Sequence, residues 1–220
     1  MKQGKTLFSA ADKDAYCAAA SSPELVSDFR RLAGDRDGWM AHRRHLSLPL
    51  SRTVAAFLRT TSERAFVVRR GVMLEHAPGT RNPVTWADCL AVTEFGSFVI
   101  NRYDWTGTVK RSVNDDELLL HDEPGAVSVQ TSPLRRAKPA VRHLRALLAE
   151  HCCPVESIAI FVSSHCALDP TLPETILCPS ELHHFMRTRL NRFRASHRQY
   201  LDPGRLAAHL QLRCADWGES

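Results

Sequence analysis

The sequence predicts an α/β fold in which a mixed β-sheet carries helices on both sides. Residues 88–93 and 96–102 form a strand pair around a tight turn at Phe95-Gly96. The stretch ESIAIFVSS, from Glu156, is a continuous apolar run of the kind found in a strand covered on both faces. A long amphipathic helix over residues 134–152 precedes that run. A strand, a helix and a second buried strand favour a right-handed crossover connection.

Before the sheet, the first 48 residues are predicted to be helical and separate. Ser21-Ser22-Pro23-Glu24 is typical of a helix start, and the apolar residues that follow it end at Gly34. Residues 38–46 favour a further short helix, and Pro49 lies in a segment, residues 46–50, that we expect to break helical continuity. We therefore predict an N-terminal helical segment over residues 1–48, an α/β domain over 49–190 and a C-terminal helical extension over 191–220.

Within the α/β domain the elements follow in a regular order. Ser51 is a candidate N-cap for a helix, residues 64–76 are extended, and residues 106–113 and 117–122 are two further strand candidates. A last short strand is expected at 175–178. Ser180 then caps a helix over 181–196, and Asp202-Pro203 opens a final helix that ends near residue 214.

Composition limits the class of protein. A chain of 220 residues is long enough to bury a sizeable core, and it contains no apolar run near the ~20 residues of a membrane span. We expect a cytoplasmic protein without membrane insertion. Its seven cysteines lack both the regular spacing of a disulfide framework and the spacing of a zinc site, so we predict reduced thiols and no metal site. Structural zinc is the alternative.

Positive charge is unevenly distributed along the chain. Residues 40–70 hold seven arginines against Glu63 alone, and residues 180–213 hold seven against Glu181 and Asp202. Such patches favour nucleic acid or an acidic protein surface, although a solvated helix face needs no partner. The candidate nucleic-acid-binding residues are Arg187, Arg189, Arg192, Arg194 and Arg198.

Five short motifs in this order carry a resemblance to a known family. They are Asp88 at a strand start, EFGSFVI in the hairpin, DWTG in the turn that follows, SPLRR before the long helix, and IAIFVSS in the buried strand. The segment from Ser51 to about Leu190 resembles the nuclease-related domain (NERD) family of the restriction-endonuclease-like superfamily. The resemblance implies a restriction-endonuclease-like mixed sheet flanked by helices, in a bacterial and often plasmid-borne protein that handles DNA.

The resemblance also implies three catalytic positions. In that superfamily an Asp and a Glu hold a divalent cation, and a Lys two residues after the Glu orients the attacking water. Asp88 matches the Asp, whereas Asn101 and Tyr103 stand at the Glu and Lys positions. An amide is a weaker Mg²⁺ ligand than a carboxylate, and a tyrosine with a pKa of about 10 supplies no positive charge. The site is therefore predicted to be inactive unless Glu94 or Asp104 replaces the missing ligand.

Three functions remain open from the sequence. The first is a catalytically degenerate nuclease-related protein without a cofactor. It would bind nucleic acid or serve as a structural part of a DNA-handling assembly of the conjugation or secretion type, with protein partners. The second is an active DNA nuclease that uses Mg²⁺. The third is a protein scaffold that does not contact nucleic acid.

Overall fold

The computed structural model describes residues 36–77, 84–122, 125–214 and 216–218. Contacts divide the chain into two units, Met1–His42 and Arg43–Ser220, and the side chains discussed below belong to the second. The helices predicted before residue 36 lie outside the described residues. Among the helices that are described, none is both long and apolar enough to cross a lipid bilayer.

The described residues form four α-helices and nine strands. The helices are α1 Arg36–Thr61, α2 Pro133–Leu147, α3 Leu182–Ser196 and α4 Pro203–Gln211. The strands are β1 Val67–Glu75, β2 Val84–Thr93, β3 Gly96–Tyr103, β4 Gly107–Arg111, β5 Glu117–His121, β6 Val127–Thr131, β7 Val155–Phe161, β8 Cys166–Leu168 and β9 Ile176–Leu177.

The strands are arranged in two sheets. The larger has the order β1-β2-β3-β7-β9, in which β1, β2 and β3 are antiparallel and β3, β7 and β9 are parallel. The smaller has the order β6-β5-β4-β8, with only the β4–β8 pair parallel. The predicted hairpin is confirmed, and so is the burial of β7 on both faces. Strands β6 and β8 were not anticipated, because their short segments lack a continuous apolar pattern.

Helices cover both faces of the larger sheet. On one face, α1 and α3 bury Leu58 and Phe185 together with Ala91 of β2. On the other face, α2 and α4 bury Leu144 and Leu210 together with neighbouring strand residues. A third cluster lies between the smaller sheet and β7. Burial of a large apolar side chain contributes about 1.5–3 kcal/mol, so these three layers stabilise the fold. The predicted mixed sheet with helices on both sides is confirmed.

Two predicted helix starts are wrong. Helix α1 runs without interruption through Pro49, and Ser51 lies inside it, where its hydroxyl donates to the Leu48 carbonyl at 3.0 Å. The helix continues because its next turns bury Leu50 and later apolar residues against the sheet. Ser180 likewise does not cap α3.

A 3₁₀ turn, Pro179–Glu181, precedes α3 instead. The Cys178 amide donates to Glu181 Oε2 at 2.7 Å, so the Glu181 side chain satisfies the backbone amide at the start of this turn. By contrast, Asp202 caps α4 as predicted, since its carboxylate accepts from the Arg205 amide at 3.1 Å. The three domain limits given above stay a prediction.

Candidate functional site

The residues at the family's catalytic positions lie where the pairing of β2 and β3 ends. Regular pairing stops at Cys89 and Ile100. Beyond it, the Asp88 amide donates to Asn101 Oδ1 at 3.0 Å, and the Arg102 amide donates to Asp88 Oδ2 at 2.9 Å. The two side chains therefore satisfy backbone donors that the strand ladder leaves unpaired, and such donors are costly to bury alone.

The second Asp88 oxygen is also engaged. Asp88 Oδ1 accepts from the Trp86 indole at 2.9 Å and from the Ser47 hydroxyl of α1 at 3.3 Å. Trp86 can lie here because Gly71 has no side chain: a Cβ at Gly71, whose φ is +64°, would stand 2.9 Å from the Trp86 ring. The Asp88 carboxylate is thus 8% exposed and enclosed by α1 and an indole ring.

Asn101 and Tyr103 lie beside a different helix. Both line a narrow crevice with Pro133, Leu134 and Ala137 of α2, and this crevice has no room for a water molecule. The Tyr103 ring stacks on Phe161, with centroids 5.4 Å apart, and Trp105 meets the Tyr103 ring edge-on. Tyr103 therefore belongs to an aromatic cluster, whereas the Asp88 carboxylate contacts α1.

The turn after β3 fixes this aromatic cluster. Gly107, at the end of the DWTG motif, has a φ of +100°, which only glycine adopts readily. A Cβ at Gly107 would lie 2.4 Å from the His121 carbonyl oxygen of β5. The motif glycine thus permits the close approach of β4 and β5 beside Trp105.

These residues do not fit a Mg²⁺ site. Mg²⁺ takes oxygen ligands in near-octahedral geometry and retains several waters. Both Asp88 oxygens and the Asn101 oxygen already accept hydrogen bonds from the protein. Among the residues that the structure describes, no three His, Cys, Asp or Glu side chains are grouped closely enough to hold a metal ion.

The two alternative ligands lie elsewhere. Glu94 is fully buried at the hairpin tip, where it accepts from the Ser62 hydroxyl and from the Glu63 amide at 2.8 Å. It is six residues from Asp88 along β2, about 20 Å in extended chain. Asp104 pairs with Arg102, whose Nε lies 3.0 Å from Asp104 Oδ1. Glu94 is therefore too distant along the strand to join Asp88, and Asp104 is engaged by the Arg102 guanidinium.

Three cysteines of the second unit are poorly suited to act as nucleophiles. Burial raises the pKa of the Cys89 thiol strongly and raises the pKa of Cys166 to about 11. Burial also raises the pKa of Cys214 to about 12, with a smaller contribution from Asp216. Thiols with raised pKa values stay protonated near neutral pH and are poor nucleophiles.

Arg189 is the least accessible of the five arginines that the sequence offers for nucleic-acid binding. Its side chain is 10% exposed, and its guanidinium pairs with Glu156 at 2.8 Å and with Glu174 at 2.7 Å. It also lies over the Phe185 ring, 4.5 Å from the centroid. Arg189 therefore connects α3 to β7 and to the loop before β9.

Of the other four arginines, two form ion pairs with carboxylates of the described residues and two do not. Arg192 forms an ion pair at 3.0 Å with the same Glu174 carboxylate, and Arg194 pairs with Glu63. Arg187 and Arg198 are exposed and form no ion pair with any residue in the described ranges. Carboxylates from distant parts of the chain thus offset most of the charge on α3.

Sequence reasoning missed the cations on α2. Lys138, Arg142 and Arg145 are exposed on one side of this helix. The signal was present in the sequence, because residues 126–149 contain no Asp or Glu at all. The stretch was interpreted only as an amphipathic helix.

Comparisons with known proteins bear on the family. Neither the curated proteins nor the solved structures gave a match. The family model described as NERD, nuclease-related domain, matches residues 50–162, just over half of the chain. The match begins in α1 and ends directly after β7, so it contains the hairpin, the smaller sheet up to β6, and α2. The chain belongs to the nuclease-related domain family.

Proposed function

We propose that this protein is a catalytically degenerate member of its family that binds nucleic acid without cleaving it. The observation that carries the proposal is the reciprocal pairing of Asp88 and Asn101, in which each side chain accepts a backbone hydrogen bond from the opposite strand. The other Asp88 oxygen accepts from the Trp86 indole and the Ser47 hydroxyl, so protein donors engage both oxygens of the carboxylate. A metal ion that assists phosphodiester cleavage would have to displace these donors in order to bind Asp88.

Charge supports the binding half of the proposal. The chain has a net charge of +5 and a pI near 9.0. Contacts between exposed cations and phosphates release counterions, so they are independent of sequence and weaken as salt rises. The exposed Arg187 and Arg198 of the original candidates remain suited to that role.

The cellular role is proposed on the resemblance to the family alone. We propose a structural component of a bacterial DNA-handling assembly of the conjugation or secretion type, which has protein partners. Isolation of the protein from its host under gentle conditions, with identification of stoichiometric companions, tests this part.

A plasmid assay tests the central proposal. Supercoiled plasmid incubated with the protein and Mg²⁺ is expected to be retarded on a gel at low salt and to remain supercoiled after the protein is removed. Asp88→Asn is the matched control, because it keeps the side-chain shape and removes the charge. Mg²⁺-dependent nicking that disappears in Asp88→Asn would establish an active nuclease. An unretarded plasmid would instead favour the protein scaffold.

A further inference from the structure

We propose that the outer face of α2 is the surface that contacts the phosphate backbone of double-stranded nucleic acid. This inference rests on the proposed function, since it assigns a binding surface to it. Lys138, Arg142 and Arg145 are all exposed and stand four and seven residues apart. Residues at that spacing share one side of a helix, and seven residues span about 10 Å along its axis. We call these three residues the α2 basic row.

The α2 basic row keeps its positive charge. Lys138 and Arg142 form no hydrogen bond or ion pair with the part of the chain that the structure describes. Arg145 donates from Nε at 3.1 Å and from Nη2 at 2.9 Å to the Val155 carbonyl oxygen. That acceptor is neutral, so the contact holds the guanidinium in position without offsetting its charge.

Acidic residues near the row are few. Helix α2 contains no acidic residue. Arg135, one turn before Lys138, forms an ion pair with Asp116. Glu150 follows in the exposed 3₁₀ turn after the helix. Helix α4, which covers the same sheet face, carries the exposed Arg205 and the exposed cap Asp202, whose charges offset each other. Positive charge therefore predominates on the exposed side of α2.

Duplex backbone is the partner that this chemistry fits. A row of cations with about 10 Å between its ends can contact several successive phosphates of one strand. Such contacts do not depend on the base sequence. Binding of single strands generally adds aromatic side chains on which bases stack. Helix α2 contains no Phe, Tyr or Trp, so the row has phosphate contacts to offer and no stacking platform.

Charge reversal at matched positions tests the assignment. The test variant is Lys138→Glu with Arg142→Glu. The control is Arg52→Glu with Arg59→Glu, two exposed α1 residues on the opposite sheet face that reverse the same number of charges. Fluorescence anisotropy with a labelled duplex of random sequence measures the affinity over a range of salt concentrations. The neutral pair Lys138→Gln with Arg142→Gln serves as a second variant with less perturbation of the fold.

The expected result is a difference between the two faces. The α2 variant should lose about tenfold or more in affinity. The slope of log affinity against log salt concentration should become less steep by about 0.9 for each of the two phosphate contacts that are lost. The α1 control should lose less than about threefold, which reflects net charge alone. Equal losses in both variants, or wild-type affinity in the α2 variants, would overturn the assignment while leaving nucleic-acid binding intact. A wild-type protein that ignores duplex would overturn the proposed function and this surface together.

Discussion

Helices α2 and α3 have the same length and opposite electrostatic surroundings. Each has fifteen residues, four arginines and no acidic residue. On α3, three of the four arginines form ion pairs with carboxylates. These carboxylates belong to β7, to the loop before β9 and to the turn after α1. On the exposed side of α2, Asp116 pairs with Arg135, and no carboxylate of the described residues pairs with the basic row. Charge along a sequence is therefore a poor guide to charge at a surface, because the neutralising partners come from distant segments.

The charged side chains of this protein fall into two groups: those that stabilise the fold and those that face solvent. Asp88 and Arg189 belong to the first group, since protein groups surround them. Lys138 and Arg142 belong to the second. Substitutions in the first group should lower stability, and substitutions in the second should not.

The largest loss is expected at Asp88. Asp88→Ala leaves the Trp86 indole, the Ser47 hydroxyl and the Arg102 amide without their acceptor. Buried donors left unpaired cost about 1–3 kcal/mol each before relaxation, so we expect the free energy of unfolding to fall by about 3 kcal/mol. Chemical denaturation measures it. Asp88→Asn keeps one side-chain oxygen and should lose clearly less. Equal stability of Asp88→Ala and wild type would contradict the structural role.

A smaller loss is expected at Arg189. Arg189→Ala leaves Glu156 and Glu174 without their shared cation and removes the contact with Phe185. Breaking a buried pair costs several kcal/mol, but Glu174 is half exposed, so we expect about 2 kcal/mol. Arg192→Ala on the same helix is the matched control, and its exposed pair should change stability by less than about 0.5 kcal/mol. If both variants lose the same amount, the distinction between the two arginines is wrong.

On α2, substitution should leave stability almost unchanged. Arg142→Ala removes an exposed side chain with no partner in the described residues, so the free energy of unfolding should stay within about 0.5 kcal/mol of wild type. Thermal and chemical unfolding measure it. A loss above about 1 kcal/mol would mean that Arg142 stabilises the fold and that the two helices do not differ as described.

The smallest effect is a dependence on pH. The hydrogen bond from the Arg189 guanidinium lowers the pKa of Glu174 from its ordinary value of 4.5; partial burial opposes this shift, and a weaker contribution from Arg192 adds to it. A carboxylate with a lowered pKa contributes stability that is present above its unfolded value and is lost as the pH falls through the folded value. Wild type should therefore exceed Glu174→Gln in stability at neutral pH, and the difference should shrink as the pH falls below 4.5 and disappear once the pH is below the folded pKa of Glu174. A difference that does not change with pH would contradict the ion pairs.

Much of the fold was readable from the sequence because its strongest signals are local. The hairpin around Gly96, the apolar strand from Val155 and the cap at Asp202 each follow from neighbouring residues. Pro49 misled the prediction, because burial of the α1 face outweighs the hydrogen bond that a proline removes.

The site was readable only in part. Asp88 and Asn101 were named among the three positions that match the family motif, but their reciprocal hydrogen bonds depend on the geometry where β2 and β3 stop pairing. The ion pairs of α3 depend on carboxylates up to 131 positions away, from Glu63 to Arg194, which no local pattern reveals. The absence of acidic residues around α2 was visible in the sequence. Which side of α2 faces solvent follows only from the way the helix packs on the sheet.

The central claim is that Asp88 binds protein donors and not a metal ion, and the Trp86 indole reports on it directly. The indole N–H donates to Asp88 Oδ1 at 2.9 Å, so its signal in a ¹⁵N–¹H spectrum, assigned with Trp86→Phe, should exchange slowly with solvent. Titration with Mg²⁺ should leave the position and protection of that signal unchanged. A shift or a loss of protection that saturates with Mg²⁺ and is absent in Asp88→Asn would show that the carboxylate turns to the metal, and would contradict the account.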